Sequence, residues 1–273
     1  MLSAEAAARL GFFAAVFLAM AVAEAVAPRR QRLFARTSRW TGNLGIAALN
    51  TAAVRILIPL AAVGAAAAAA RAHFGLFNRI AIGRWPTLVC VIAALDLVVY
   101  LQHVMFHAVP ILWRVHRTHH VDPDFDVTTG VRFHPIEILL SMLIKIAAVG
   151  ALGAAPGAVV AFEVLLNATS MFNHGNLALP ERTDRLLRWF LVTPDMHRVH
   201  HSSVRRETNS NFGFNLPWWD YICGTYRAAP AAGQIGMTIG IEGFPGAAEI
   251  ALGAILSHPM RGAIGDYPLG RDE

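Results

Sequence analysis

The chain is poor in charged residues, cysteine and lysine, and each of the first two shortages excludes a class of protein. Only 15% of its 273 residues are charged and 55% are hydrophobic, whereas a soluble domain carries about 25% charged residues. The two cysteines, Cys90 and Cys223, cannot form a zinc ribbon or a disulfide framework. We expect both thiols to be buried packing groups. The long apolar runs that remain indicate a membrane protein.

The net charge of +5 comes almost wholly from arginine, since Lys145 is the single lysine. These arginines flank apolar segments, and no basic stripe with interleaved aromatic residues is present. We therefore expect no nucleic-acid partner. The dominance of Arg and Ala over Lys is typical of a GC-rich bacterial genome, which favours a bacterial inner membrane as the location.

Several apolar stretches are candidates for membrane helices, which need about 20 mostly apolar residues to cross the bilayer. The last two are short and are separated by a Gly/Pro break at 153–157, which is typical of a tight helical hairpin. The sequence thus predicts an all-α, integral membrane helical bundle of about four to five spans. The stretches are residues 10–27, 44–70, 86–107, 136–152 and 157–172.

Arginine is unevenly distributed between the loops. Residues 28–44 contain five arginines and residues 71–85 contain three, so the positive-inside rule places the first loop in the cytoplasm. The third span then carries His107 to the cytoplasmic face, and the hairpin returns the chain to that face. We expect a cytoplasmic helical cap made of residues 108–134 and 174–273.

Histidine is concentrated in one part of the chain. Ten of the twelve histidines lie between residues 103 and 201. Imidazole suits iron, zinc, copper and nickel, and helical positions i, i+3 and i+4 share a face. Each cluster can therefore direct two or three rings at one point, and together they can hold two metal ions. The clusters are His103 and His107; His116, His119 and His120; and His197, His200 and His201.

Four histidines stand alone. His134 precedes the fourth span and His174 follows the fifth, so both lie at the cytoplasmic mouth of the hairpin and are candidate ligands. His73 lies in the predicted outer loop and His258 in the tail, and neither is assigned to the site. The sequence therefore predicts a dimetal site with up to ten histidine ligands.

Asp96 occupies the same helical stripe as His103 and His107. An ionisable residue inside a membrane helix is costly and usually functional. Its carboxylate could accept the second N–H of a ligating ring and fix the tautomer of that ring. The alternative is a hydrogen bond to Arg55 or Asn50 in the second span.

Three further polar residues are candidates to support the ligands. Glu137 lies one helical turn after His134 and could orient that ring or pair with Arg132. Asp195 could orient a ligand, although capping of a helix that starts near Thr193 is the favoured role. Asn173 could bind a ligand or a substrate headgroup, with ordinary loop capping as the alternative.

The order of the motifs is more specific than any one of them. H-x-x-x-H, H-x-x-H-H, R-x-H-P-x-E, N-H-x-N and D-x-H-x-x-H-H follow one another, and residues 209–226 close the series. Over about residues 90–226 this pattern resembles the fatty acid hydroxylase/sterol desaturase superfamily. The resemblance implies an O2-dependent oxidoreductase with a non-haem diiron centre on the cytoplasmic side. Ser170 departs from the pattern, because members often have His or Gln there.

The implied ligands are the eight clustered histidines, with His174 and His134 as further candidates. The implied function is a lipid hydroxylase or desaturase, with an alkylglycerol-type ether-lipid monooxygenase as the alternative. The sequence has no G-x-G-x-x-G and no C-x-x-C-H, so we expect a separate electron donor of the ferredoxin or cytochrome type.

A histidine-rich metal transporter or sensor is the non-enzyme alternative. Transporters place ligands near the bilayer midplane, whereas these histidines fall at helix ends. A zinc hydrolase is disfavoured because no H-E-x-x-H occurs. We expect N-terminal spans in residues 1–85, a catalytic domain in 86–226 and a tail in 227–273.

Overall fold

The computed structural model describes residues 4–80, 82–244 and 246–269, and this part of the chain is all-α. The described residues form no β-strand, and only two isolated β-bridges, Pro28–Leu177 and Ser202–Ile239, lie in the loops. The prediction of a helical fold is confirmed. The helices are α1 (Ala4–Val26), α2 (Arg36–Leu57), α3 (Ala61–Arg71), α4 (Arg84–Ala108), α5 (Pro110–His120), α6 (Pro135–Leu152), α7 (Pro156–Asn173), α8 (Glu181–Leu187), α9 (Pro194–His200), α10 (Arg205–Thr208), α11 (Trp218–Cys223), α12 (Gly233–Gly236) and α13 (Leu252–Ser257).

Four helical stretches of the described residues are long and apolar enough to cross a membrane. They are Ala6–Val26, Arg36–Asn78, Arg84–Ala108 and Pro135–Leu152. The predicted single span 44–70 is wrong in its bounds, because the helix begins at Arg36 and breaks before α3. Pro59 lies in that break, where its missing N–H and its ring prevent a continuous helix.

The turn between α6 and α7 is the predicted helical hairpin. Gly153 ends α6 in the left-handed region with φ +64°, a conformation that glycine adopts without strain. A Cβ atom there would lie 2.8 Å from the carbonyl oxygen of Phe74. The hairpin turn and the loop after α3 therefore pack together, at the end of the bundle opposite the histidines.

The apolar core lies between α3, α4, α6 and α7. Val91, Leu95, Val159 and Phe162 are fully or almost fully buried in it. The outward faces of the same bundle stay apolar and exposed, as bilayer contact requires. Cys90 is exposed on α4 and Cys223 is exposed on α11. The expectation that both thiols are buried is therefore wrong.

A buried ion cluster ties the N-terminal helices to the cap. The Arg39 guanidinium of α2 donates to Asp122 at 2.7 Å and also pairs with Asp126, and all three side chains are buried. Burial would raise the pKa of Asp122, but the charges of Arg39 and Arg132 outweigh it and hold that pKa at about 2. On α1, Glu24 accepts the Val127 N–H at 2.7 Å. The first two helices thus fix the loop between α5 and α6.

The C-terminal tail covers α5. The Arg117 guanidinium donates to the His258 carbonyl at 2.9 Å and also to the Arg261 carbonyl. The Tyr267 ring stacks on Trp113 with centroids 5.7 Å apart. These contacts hold the tail against the helix that carries the second histidine cluster.

We predict that Arg39→Ala destabilises the protein by about 3–5 kcal/mol, because it leaves two buried carboxylates without a countercharge. The thermal unfolding midpoint of the detergent-purified protein measures the effect. Arg185→Ala is the matched control, since the Arg185–Glu181 pair is exposed and contributes little. Equal midpoints for the two variants would contradict the anchoring role of Arg39.

Candidate metal centre

Nine buried histidines converge in two adjacent groups at the cap end of α4 and α7. In each group the potential ligand atoms lie within 4.8 Å of one another. The rings of His120 and His201 belong to different groups, yet their centroids are only 4.7 Å apart. The first group is His103, His107, His116, His120 and His200, and the second is His119, His174, His197 and His201.

The helical period decides which ring joins which group. Positions i and i+4 are separated by about 40° around a helix, while i+3 and i+4 diverge by about 100°. His116 and His120 share the first group while His119 turns to the second, and His197 and His201 share the second while His200 turns to the first. Each of these two clusters therefore directs two rings at one point, within the two or three expected, and directs its third ring at the other group. Because α5 and α9 each supply both groups, they couple the two positions.

The start of α9 orients its three histidines. Thr193 caps the helix by accepting the Met196 N–H at 3.3 Å, and Pro194 occupies the first turn. Asp195 does not cap and does not contact a ligand ring. It pairs with Arg29 at 2.9 Å and with Arg198 at 2.5 Å, which ties α9 to the loop after α1.

Six of the nine rings have an acceptor at Nδ1. The Nδ1–H of His103 donates to the Phe212 carbonyl at 2.8 Å, and that of His200 donates to the Ser210 carbonyl at 2.7 Å. A carbonyl cannot donate, so these rings carry the proton on Nδ1 and an electron lone pair on Nε2 when they are neutral. The other four acceptors are Asn209 Oδ1 for His107, Glu137 Oε1 for His116, the Arg132 carbonyl for His119 and the Ser170 carbonyl for His174.

The fixed tautomers bring lone pairs face to face. The Nε2 atom of His103 lies 3.0 Å from that of His200 and 3.1 Å from that of His116. In the second group the Nε2 atoms of His119 and His174 are 3.1 Å apart. With no proton between them such atoms repel, and a shared cation turns the repulsion into attraction. The donor set therefore fits a metal ion in each group.

Burial keeps the rings neutral. The pKa values of His119, His120, His197, His200 and His201 are lowered well below 6.5, first by burial and then by neighbouring histidines. Burial lowers the pKa of His174 to about 3. Neutral imidazole is the metal-binding form. Among the described residues neither ring nitrogen of His201 has a hydrogen-bond partner, as expected of a ring whose partner is a metal ion.

The structure does not bring His134 into either group. Its Nδ1 atom accepts the Ile136 N–H at 3.2 Å and so caps α6, and its Nε2 lies 3.3 Å from the Leu256 carbonyl. His174 does join the second group. His73 and His258 lie outside both groups, as expected.

Asp96, one of the predicted supporting residues, acts differently from the expectation. Asp96 touches neither a ligand ring nor Arg55 or Asn50; it accepts the Trp219 Nε1–H at 2.8 Å and the Asn215 amide at 2.7 Å. The reason is that residues 211–219 pack between α4 and the rest of the cap and offer closer donors.

Glu137 does orient a ligand ring, but it is His116, at 2.7 Å, and not His134. Its expected pairing with Arg132 is also replaced, because that guanidinium donates to Asn43 and to two backbone carbonyls. The Asn173 amide donates to the Phe214 carbonyl at 2.8 Å. Asn173 therefore steadies the 211–219 segment and does not contact a ligand.

Sequence reasoning missed most acceptors that hold the rings. The amide of Asn209, in the closing motif, donates to the Tyr267 carbonyl at 2.7 Å, which turns its Oδ1 toward His107. The four backbone carbonyls give no sequence signal. Asp220 positions one of them by accepting the Phe212 N–H at 2.8 Å.

Comparisons with known proteins were made on the whole chain. A family model described as fatty acid hydroxylase matches residues 88–225. Ornithine lipid hydroxylase OlsE of Rhizobium tropici is 35% identical over 57% of this chain and 47% of its own length. Alkylglycerol monooxygenase of Homo sapiens is 30% identical over 53% of this chain and 32% of its own length.

Cholesterol 25-hydroxylase of Rattus norvegicus is 27% identical over 52% of this chain and 47% of its own length. The aligned region thus covers about half or less of the curated relatives' own length. No solved structure matches the chain.

We predict that His134→Asn keeps two metal ions per chain, because asparagine can also cap α6 and His134 lies outside both histidine groups. Asn209→Ala should lower metal affinity about 10–100-fold, since it removes the acceptor that orients His107. Elemental analysis measures the number of bound metal ions, and competition with a chelator measures the metal affinity. Loss of one metal ion in His134→Asn would show that the ligand set is wrong.

We also predict that the metal-free protein loses stability as pH falls from 7 to 5. An unfolded histidine has a pKa of about 6.5. His119, His120, His174, His197, His200 and His201 have lower pKa values in the folded protein, so the unfolded chain binds more protons below pH 6.5. Their contribution is complete above pH 6.5 and is lost on acidification, by up to about 1.4 kcal/mol per ring and pH unit. A thermal midpoint that is constant over this range would contradict the burial of neutral rings.

Proposed function

Because the chain belongs to the fatty acid hydroxylase family, we propose that it is a membrane-bound, O2-dependent lipid hydroxylase with two non-haem iron ions. The observation that carries this proposal is the pair of adjacent, all-histidine groups at the end of an apolar helical bundle. The nine histidines of these groups are the proposed ligands. Asn209 and Glu137 are proposed to orient two of them.

Two cooperating redox ions suit the proposed reaction better than one. A bound iron pair would supply the electrons and the oxidising power needed to activate O2 toward an unreactive C–H bond. Nitrogen ligands alone do not select iron, because imidazole also binds zinc, copper and nickel. Iron is inferred from the family and from the chemistry that hydroxylation requires.

The protein contributes a dry and rigid enclosure. Aromatic rings pack directly on the ligands: Phe133 stacks on His119 with centroids 4.4 Å apart, and Trp113 lies 4.8 Å from His107. Phe212 and Phe214 cover His103 at 5.5 and 5.4 Å. These walls exclude water, which would otherwise quench a strong oxidant.

The stoichiometry of hydroxylation determines which other reactants the protein needs. One atom of O2 enters the C–H bond and the other leaves as water, which consumes two electrons and two protons. We infer a separate electron donor, of the ferredoxin or cytochrome type, because the chain has no nucleotide-binding or haem-attachment motif. Protons come from solvent.

We infer that the histidines face the cytoplasm and that the substrate is a membrane lipid. The arginine-rich loop after α1 lies on the histidine side, where Arg30 donates to the Met237 carbonyl at 2.7 Å and Arg29 pairs with Asp195. The loop after α3 lies at the other end. Arginine-rich loops favour the cytoplasmic side, and the apolar spans deliver lipid to the ligand end of α4.

Hydroxylation is preferred to desaturation because the relatives described above are named as hydroxylases and monooxygenases. An ether-lipid monooxygenase is the second candidate, supported by the 30% identity to the human alkylglycerol enzyme. A metal transporter is disfavoured, since both groups lie at the cap end of the helices and transporters bind near the bilayer midplane.

We predict that the iron-loaded protein in lipid vesicles, supplied with a reductant, incorporates label from isotopically heavy O2 into a lipid product. His119→Ala should abolish incorporation, because it removes a ligand of the second group. Lipid mass spectrometry measures the product, and His134→Asn is the matched control that should retain activity.

Unchanged incorporation in His119→Ala would contradict the proposal. So would a protein that carries metal across vesicle membranes while it catalyses no O2-dependent reaction.

A further inference from the structure

An exposed aromatic patch lies on α8, α11 and the residues that follow α8. Its side chains are 40–74% exposed, which is a large apolar surface for a soluble face. We call it the α8–α11 patch. Its residues are Leu186, Trp189, Phe190, Trp218, Tyr221 and Ile222.

The patch is one continuous surface. The Trp218 Nε1–H donates to the Trp189 carbonyl at 2.7 Å, and the Tyr221 hydroxyl donates to the Arg188 carbonyl at 3.2 Å. The Trp189 and Tyr221 rings stack with centroids 6.2 Å apart. The polar atoms of these rings are therefore bonded inward, while their apolar faces point out.

The patch sits beside the middle of a membrane helix. The residue next to Trp218, Trp219, donates to Asp96 at 2.8 Å, and Thr225 bonds to the Tyr100 hydroxyl at 2.9 Å. At the far end of α4, Trp85 is exposed beside Arg84, a pair typical of a membrane–water interface. Measured from Trp85, Asp96 and Tyr100 lie about 17 and 23 Å along the axis, within a hydrocarbon core about 30 Å thick.

The backbone of this region meets the requirements of the bilayer. Irregular backbone is tolerated at membrane depth only where protein covers it. Residues 211–215 are irregular and buried, whereas the exposed residues of the 218–223 segment, Trp218, Tyr221, Ile222 and Cys223, are helical. The exposed part therefore satisfies its own backbone hydrogen bonds, as a helix at a lipid interface must.

An exposed arginine beside the patch also favours a lipid surface. Arg182 is exposed on α8 one helical turn from the exposed Leu186, whereas Arg185 pairs with Glu181. Tryptophan and tyrosine favour the headgroup level of a bilayer, and arginine there binds lipid phosphate. A bilayer surface matches both parts of the patch.

We propose that the α8–α11 patch is inserted in the lipid bilayer on the cap side, as an interfacial element that the sequence did not reveal. It continues the lipid-facing surface of α4 and fixes the depth of the histidine groups relative to the bilayer. The proposal goes beyond the proposed function and does not depend on the identity of the metal or on activity.

The native cysteines allow a direct test. The full-length protein with Cys90→Ser keeps Cys223, which is exposed at the end of α11. It is spin-labelled and placed in vesicles of phosphatidylcholine and phosphatidylglycerol. The accessibility of the label to O2, which concentrates in lipid, is compared with that to a water-soluble nickel chelate. Cys223→Ser, which keeps Cys90 on α4, is the lipid reference, and Glu242→Cys without the native cysteines is the water reference.

We expect the O2-to-nickel ratio at Cys223 to match the Cys90 reference and to exceed the Glu242 reference several-fold. Ile222→Cys, at a more exposed neighbouring position, should give the same result and guards against a local effect of one label. A ratio equal to the water reference overturns the proposal. A label that neither reagent reaches also overturns it, since a protein partner or a second copy would then cover the patch.

Discussion

Repulsion between nitrogen lone pairs is the constraint on which the centre depends. Carbonyl, amide and carboxylate acceptors fix the proton on Nδ1 of six rings, so their Nε2 atoms meet without a proton to share. The rings are also buried, and burial lowers the pKa of His119, His174 and His200, so protonation of these rings cannot relieve the contact at neutral pH. A cation in each group relieves it.

The rest of the fold serves to hold these rings against that repulsion. α4 and α7 bring three of them to one end of the bundle, and α5 and α9 supply the other six. The buried Arg39–Asp122 pair fixes the loop after α5 to the N-terminal helices. Tyr267 of the tail sets the orientation of Asn209 and so of His107. The terminal regions, which carry none of the nine grouped histidines, thereby help to build the candidate metal centre.

Much of the fold and of the candidate site could be predicted from the sequence, because the sequence patterns that indicate them are local. Apolar runs predicted the spans, and histidine spacing predicted eight of the nine grouped rings, with His174 found by its place at the hairpin mouth. Which ring joins which group was not anticipated, although the i+3 spacing of His119 and His200 turns these two rings away from their neighbours in each cluster. Backbone acceptors such as the Phe212 carbonyl could not be found, since every residue has a carbonyl and only tertiary packing selects one. His134 and Asp96 were assigned by proximity in sequence, but closer partners in the fold determine their contacts.

The unequal sizes of the groups give the most direct test. One position has five histidines and the other has four, so two iron ions bound there must be inequivalent. Mössbauer spectroscopy of the iron-loaded protein should show two distinct signals of equal area, with two iron ions per chain. One signal with less than one iron per chain would contradict a paired site built from these nine rings.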